Sequence, residues 1–285
     1  MARVRIVTDS SQDFDPALLE SQGISVIPLT VHFGDEEYLD GFQLRGGDFY
    51  RKLRTSPHHP RTSQPSPAAF QKVFQDLSED GSEVIAITLS SNLSGTFQSA
   101  TIARDTLPNS NKIHVIDSKQ ASGGHGYMVL LANEMAQSGC SSEEIIEKIQ
   151  RAIDNMVTIF SVDTLDYLAR NGRIGRAQHF LGSMLNLKPI LGLDKEGYVT
   201  SVDRVRGKGR VIPRMIELVQ ERVPKGVLLD VVITHAEAPS EAAKLKEAMR
   251  SAFEVRRYEE SEIGAIIGSH TGPGTLGLFV APDVK

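Results

Sequence analysis

The sequence lacks most of the features that announce a function at once. It has one cysteine, Cys140, in 285 residues. An internal disulfide is therefore impossible, and no Cys/His spacing suits structural zinc. It has no surplus of positive charge: 31 Lys and Arg against 36 Asp and Glu leave a formal net charge of −5. That is the wrong sign for a protein that neutralises duplex phosphates. Its most apolar long window, 263–281, is interrupted by His270, Pro273 and several glycines, which argues against a membrane span. The opening MARVRIVTDSS meets acidic residues after only a short apolar run, so no signal peptide is expected. There is no P-loop lysine motif, no internal repeat and no low-complexity tract. These absences predict a cytosolic protein with no metal, no nucleic-acid partner and no stable insertion into a membrane.

With 40% hydrophobic and 24% charged residues, the chain has the composition of a globular protein. Its length exceeds what one hydrophobic core usually serves. Short apolar, β-branched runs read as strands at 3–7, 83–89, 113–116, 157–162, 227–234 and 275–281. Helical patterns lie between them, at 66–80, 94–107, 125–139, 141–156, 209–223 and 239–253. Strand and helix in alternation predict an α/β fold. The expected arrangement is two domains. Residues 1–157 form a mostly parallel, Rossmann-like sheet flanked by helices, and residues 158–285 form a smaller α/β domain. The stretch 54–67, RTSPHHPRTSQPSP, reads as an exposed loop or lid without regular structure. Its adjacent His58 and His59 read as solvated loop histidines.

Chemistry is expected where the strands end, because open parallel sheets bind ligands outside their carboxyl ends. Those ends carry Thr8-Asp9-Ser10-Ser11, Ser90 through Thr96, and Asp117-Ser118. Ser94-Gly95-Thr96 opens a helix, where free N–H groups and the helix dipole favour an anion. A plain Ser N-cap explains the same residues. Asp9 suits either a helix cap or a hydroxyl ligand. Thr62 and Ser63 suit either a turn or a lid over a ligand. Arg204, Arg206, Lys208, Arg210 and Arg214 form the densest basic stretch, readable as a basic stripe or as a solvated loop and helix start. Three motif matches fail on context. Gly272 to Gly277 fits G-x-G-x-x-G but precedes a strand and contains Pro273. Asn92-Leu93-Ser94 fits a glycosylation acceptor, irrelevant in the cytosol. A Ser94–His270 hydrolase site with Asp9 or Asp117 lacks the G-x-S-x-G elbow, because Asn92 and Thr96 take the glycine positions.

Several blocks in order resemble the DegV family along nearly the whole chain. They are Val7-Thr8-Asp9-Ser10-Ser11, Arg61 through Ser66, Leu89 through Thr96, Val115-Ile116-Asp117-Ser118, Tyr167 through Ile174, Leu187-Lys188-Pro189-Ile190 and Ile267 through Gly274. The resemblance implies a long-chain fatty acid such as palmitate, buried between the two α/β domains, and no other cofactor. It implies a lipid-binding subunit, not a complete enzyme, that presents the carboxylate to an ATP-binding fatty-acid kinase for acyl-phosphate formation. Thr62 and Ser94 are the implied carboxylate ligands, with Asp9, Ser63, Gly95, Thr96 and Ser118 nearby. Arg173, Arg206 and His270 are the implied supports of phosphoryl transfer. Phe180-Leu181, Met184-Leu185 and Ile263 to Ile267 are expected to line the tail. The rival readings are a stand-alone serine hydrolase or phosphotransferase built on Ser94 and His270, and a DNA-associated regulator, which the acidic balance disfavours.

Overall fold

The computed structural model describes residues 3–181 and 187–283. The chain begins with β1 (Val4–Asp9), α1 (Pro16–Ser21) and β2 (Ser25–Ile27). It makes an excursion through β3 (Thr30–Phe33), β4 (Glu36–Leu39), α2 (Gly46–Thr55) and β5 (Arg61–Ser63), then returns through α3 (Pro67–Ser78), β6 (Glu83–Thr88), α4 (Thr96–Asp105) and β7 (Ile113–Asp117). Helices α5 (Ser122–Gln137) and α6 (Ser142–Asn155) lead to β8 (Val157–Ser161), α7 (Asp166–Arg170), β9 (Leu187–Leu193) and β10 (Val199–Arg206). The chain ends with α8 (Val211–Arg222), β11 (Leu229–His235), α9 (Pro239–Ala252), β12 (Val255–Glu262), α10 (Ala265–Thr271) and β13 (Leu276–Pro282).

The first lobe holds a parallel sheet in the order β2-β1-β6-β7. The second holds a separate mixed sheet, β10-β9-β8-β13-β11-β12, in which only β11 and β12 run parallel. Burial follows sequence: all but the first residue of β6 and all but the last of β11 are buried, as expected of strands covered on both faces. A small antiparallel sheet, β4-β3-β5, forms a third, separate sheet. It corrects the reading of 54–67 as wholly irregular. Pro60 and Pro65 flank Arg61–Ser63 without interrupting it, so β5 is free to pair with β3.

Helix α5 joins the lobes. It is apolar on nearly every side, and such a helix must be buried. It packs Ile6, Ile85 and Ile87 of the parallel sheet and Val232, Phe279 and Ala281 of the mixed sheet into one core. Glycines at its start permit the approach: a Cβ on Gly126 would lie 2.3 Å from the Phe14 ring, and one on Gly123 would lie 2.6 Å from Val232. Among the described residues, no helix is long and apolar enough to cross a membrane.

Candidate functional site

The carboxyl ends of β2, β6 and β7 face α10 and the mixed sheet across a cavity, with about 850 Å³ of empty space when the solvent at its open mouth is counted. Its walls are mainly apolar. The first lobe contributes Leu29, Leu89 and Leu93. The second contributes Phe160, Leu168, Leu193, Val199, Ile263, Ile266, Ile267 and Phe279. One group of polar side chains consists of Thr62, Gln64, Ser94, Arg173 and His270, while Ser122, Thr158 and Thr234 line the cavity elsewhere.

Each of these is placed by its own element. Thr62 lies in β5, opposite Val31 of β3. Its Oγ1 is 2.9 Å from Nε2 of His270 in the last turn of α10. Burial, helped by the charges of Arg173 and His59, pushes the His270 pKa down to about 3. The ring is neutral at ordinary pH and carries one proton. Nδ1 is buried and has no protein partner. A proton there would be an orphaned donor, which costs more than a bare acceptor. The proton therefore belongs on Nε2 and is donated to Thr62 Oγ1, leaving the Thr62 hydroxyl hydrogen free for another acceptor.

Ser94 ends a turn in which the N–H groups of Leu93 and Ser94 both donate to the Ser90 carbonyl. It is not the N-cap that sequence alone allowed. Gly95 holds the cap position without a side-chain bond, and α4 starts at Thr96. The Ser94 hydroxyl pairs with that of Thr96 at 2.9 Å. The first turn of α4 contains no acidic residue, so no side chain of that turn offsets the helix dipole. Gly95 leaves room for the Gln64 side chain, whose Nε2 would lie 2.5 Å from a Cβ placed there. Arg173 donates through Nε to the Leu93 carbonyl at 3.1 Å and through Nη1 to the Asn171 carbonyl at 2.8 Å. It fixes one positive charge beside the two hydroxyls.

Other expected site residues lie elsewhere. Asp9 is fully buried: it accepts from the N–H of Ser11 at 3.0 Å, the hydroxyl of Ser11 at 2.5 Å and the N–H of Leu89 at 2.9 Å. It is a cap that ties β1 to β6, out of reach of the cavity. Ser118 is spent on its own turn with Gln120. Ser63 alternates to the opposite face of β5 and meets His32. Arg206 is exposed at the far end of β10, opposite Leu187. The basic stretch around it is partly neutralised, with Arg214 bound to Asp203, Glu217 and Glu221. Asp117 accepts from Ser91 and Lys119, so neither aspartate joins Ser94 and His270 in a hydrolase triad. Ile263, Ile266 and Ile267 line the cavity as expected, but Phe180 and Leu181 do not; Met184 and Leu185 lie outside the described residues.

Sequence reasoning missed Gln64, the cavity-lining Thr158, Thr234 and Phe279, and the part of His59. That histidine is not a free loop residue. It packs on the Tyr167 ring and accepts from Asn171, whose Nδ2 also donates to the Ser269 carbonyl. Among the described residues, no group of three or more His, Cys, Asp or Glu side chains could hold a metal ion.

Comparison with known proteins decides the family. A family model described as uncharacterised protein, DegV family, matches residues 3–283. The chain belongs to the DegV family. A DegV domain-containing protein of Caldanaerobacter subterraneus subsp. tengcongensis is 38% identical over 279 residues, covering 98% of this chain and 99% of that one. The solved structure of a fatty-acid-binding DegV family protein from Thermus thermophilus superposes with a TM-score of 0.92 at 34% identity, covering 98% and 99% of the two chains. DegV of Bacillus subtilis, a fatty acid binding protein, superposes with a TM-score of 0.89 at 33% identity, covering 99% and 100%.

Proposed function

We propose that this DegV protein binds one long-chain fatty acid, with its tail in the cavity and its carboxylate on the hydroxyls of Thr62 and Ser94. The carrying observation is the pairing of a mainly apolar cavity with two hydroxyls, Thr62 and Ser94, and the Arg173 guanidinium in its lining. The fatty-acid-binding relatives from Thermus thermophilus and Bacillus subtilis support the same reading. In it, residues 1–157 supply the carboxylate loops and residues 158–285 complete the tail chamber.

The two ends of the ligand contribute differently. About fifteen buried methylenes at roughly 0.8 kcal/mol each give on the order of 10 kcal/mol before ordering costs. The head adds hydrogen bonds from neutral donors, which hold a carboxylate without a tight ion pair. Thr62 and Ser94 are half-buried and Arg173 is exposed, so the carboxylate stays within reach of a second protein. We infer that this partner is a cytoplasmic, ATP-binding fatty-acid kinase that phosphorylates the presented carboxylate, with Arg173 and His270 close to the reacting oxygens. This chain supplies the substrate and the partner supplies the nucleotide.

The test is acyl-probe binding to Thr62→Ala and Ser94→Ala. Each loses a hydrogen bond to a charged group, about 1.5–3 kcal/mol, or roughly 10- to 150-fold in affinity. Thermal unfolding should change little. Unchanged affinity in both variants contradicts the reading.

A further inference from the structure

Strand register fixes where the cavity ends. Thr275, Gly277 and Phe279 lie on the cavity side of the mixed sheet at alternate positions. Pairing sets Gly277 between Phe160 of β8 and Thr234 of β11, and all three line the cavity. The next row is Thr158, Phe279 and Val232; the first two line the cavity and Val232 does not. Ala281, one row further, belongs to the core. Along β13 the open space stops at Phe279.

That end is the one away from the hydroxyls. The Thr275 hydroxyl donates to the carbonyls of Thr271 and Gly272, beside His270. Phe279 lies four residues farther along the strand, about 14 Å at roughly 3.4 Å per residue. Between them Gly277 leaves the sheet surface bare; a Cβ there would lie 2.6 Å from Thr234 Oγ1.

The Phe279 ring is also held in place. It is 4% exposed. Ideal Cβ positions on Gly123, Gly124 and Gly277 would fall 2.9, 2.8 and 3.1 Å from its atoms. The ring occupies the space those three side chains would otherwise fill. Behind it lie Val232, Met128 and Ala281 of the shared core. A ring clasped in this way cannot swing aside for a longer ligand.

Resting on the fatty-acid reading, we propose that Phe279 is the specificity-determining residue for chain length: the terminal methyl abuts its ring, and the ring sets the longest acyl chain accepted. The experiment measures affinities across a homologous series of saturated fatty acids, from shorter to longer than palmitate. It compares the parent with Phe279→Leu and the unbranched, more flexible Phe279→Met, with Ser94→Ala as a head-group control. Phe279→Leu should move the preferred length up by about one or two methylenes, the space the lost ring atoms leave. Phe279→Met should broaden the preference through its flexible tip, and it keeps the test open if the leucine variant fails to fold. Ser94→Ala should weaken every length in proportion without moving the optimum. An unchanged length profile in a folded Phe279 variant overturns the inference while leaving fatty-acid binding standing. A parent that binds no acid of any length overturns both.

Discussion

Nε2 of His270 lies 2.9 Å from Oγ1 of Thr62, joining α10 to the edge strand β5 across the cavity mouth. Because burial holds the imidazole neutral down to about pH 3, this bond survives throughout the ordinary pH range. Ligand affinity should therefore show no step near pH 6.5 attributable to His270. His270→Gln, which keeps a nitrogen donor on a side chain of similar reach, should retain most binding. His270→Ala should lose about 1 kcal/mol or more, several-fold in affinity, by freeing Thr62. Titration with an acyl probe from pH 5 to pH 8 checks both outcomes.

The same histidine carries a stability consequence. In the unfolded chain it binds a proton below about pH 6.5, whereas in the fold it does so only near pH 3. The unfolded state then holds more protons between these values. The stability due to neutral His270 is complete above about pH 6.5 and is lost as pH falls toward 3. Unfolding midpoints of His270→Gln should drop less than those of the parent on acidification across that window.

Two carboxyls act in the opposite direction at the other end of α10. Asp13 accepts from the N–H of Gly264 and Asp40 from that of Ala265, at 2.9 and 3.0 Å. Burial raises their pKa values from 3.8 to about 8 and about 7, only partly offset by hydrogen bonds. The fold thus binds protons that the unfolded chain releases. Their contribution is fully present below about pH 4 and is lost as pH rises through 7 to 8. Asp13→Asn keeps an acceptor for Gly264 and removes the titration. Its melting temperature should fall less than that of the parent between pH 5 and pH 8, as scanning calorimetry at the two values would read.

The loop that carries Ser94 is clamped by the second lobe. The Ser90 hydroxyl donates to the Gly197 carbonyl at 3.0 Å, and Asn92 Nδ2 donates to the Glu196 carbonyl at 2.7 Å. Gly197 has φ +85°, and a Cβ there would lie 2.2 Å from Ser90 Oγ. Gly197→Ala should destabilise the protein by about 1–3 kcal/mol and weaken acyl binding by displacing the Ser90 turn. Gly139→Ala is the matched control, with φ +82° and open space around it. It should show the backbone strain alone, with binding intact.

How far the sequence could be read depended on range. Several buried strands and their helices were legible because apolar runs and caps are local: Ser66-Pro67 does start α3, whereas β9, buried through its middle, was not read as a strand. Thr62, Ser94, Arg173 and His270 were legible only together, through blocks shared with a family, since each alone has an ordinary local explanation. The places where reading failed are contacts between distant segments. Pairing of β5 with β3 ordered a Pro-rich stretch that looked irregular. Asp9 read equally as a cap or a hydroxyl ligand, and Asp13 and Asp40 carried no local signal; only the packing of β6 and α10 against them reveals anchors. Phe279 reads as one more apolar residue in a strand until register and three glycines show that it closes a cavity.

The most direct measurement is native mass spectrometry of the intact protein purified from a bacterial host, followed by lipid identification after denaturation. The account predicts one long-chain fatty acid per chain in near-equal amount, depleted in the Thr62→Ala, Ser94→Ala double variant. Protein that arrives without lipid, and takes up none from added palmitate, would contradict it.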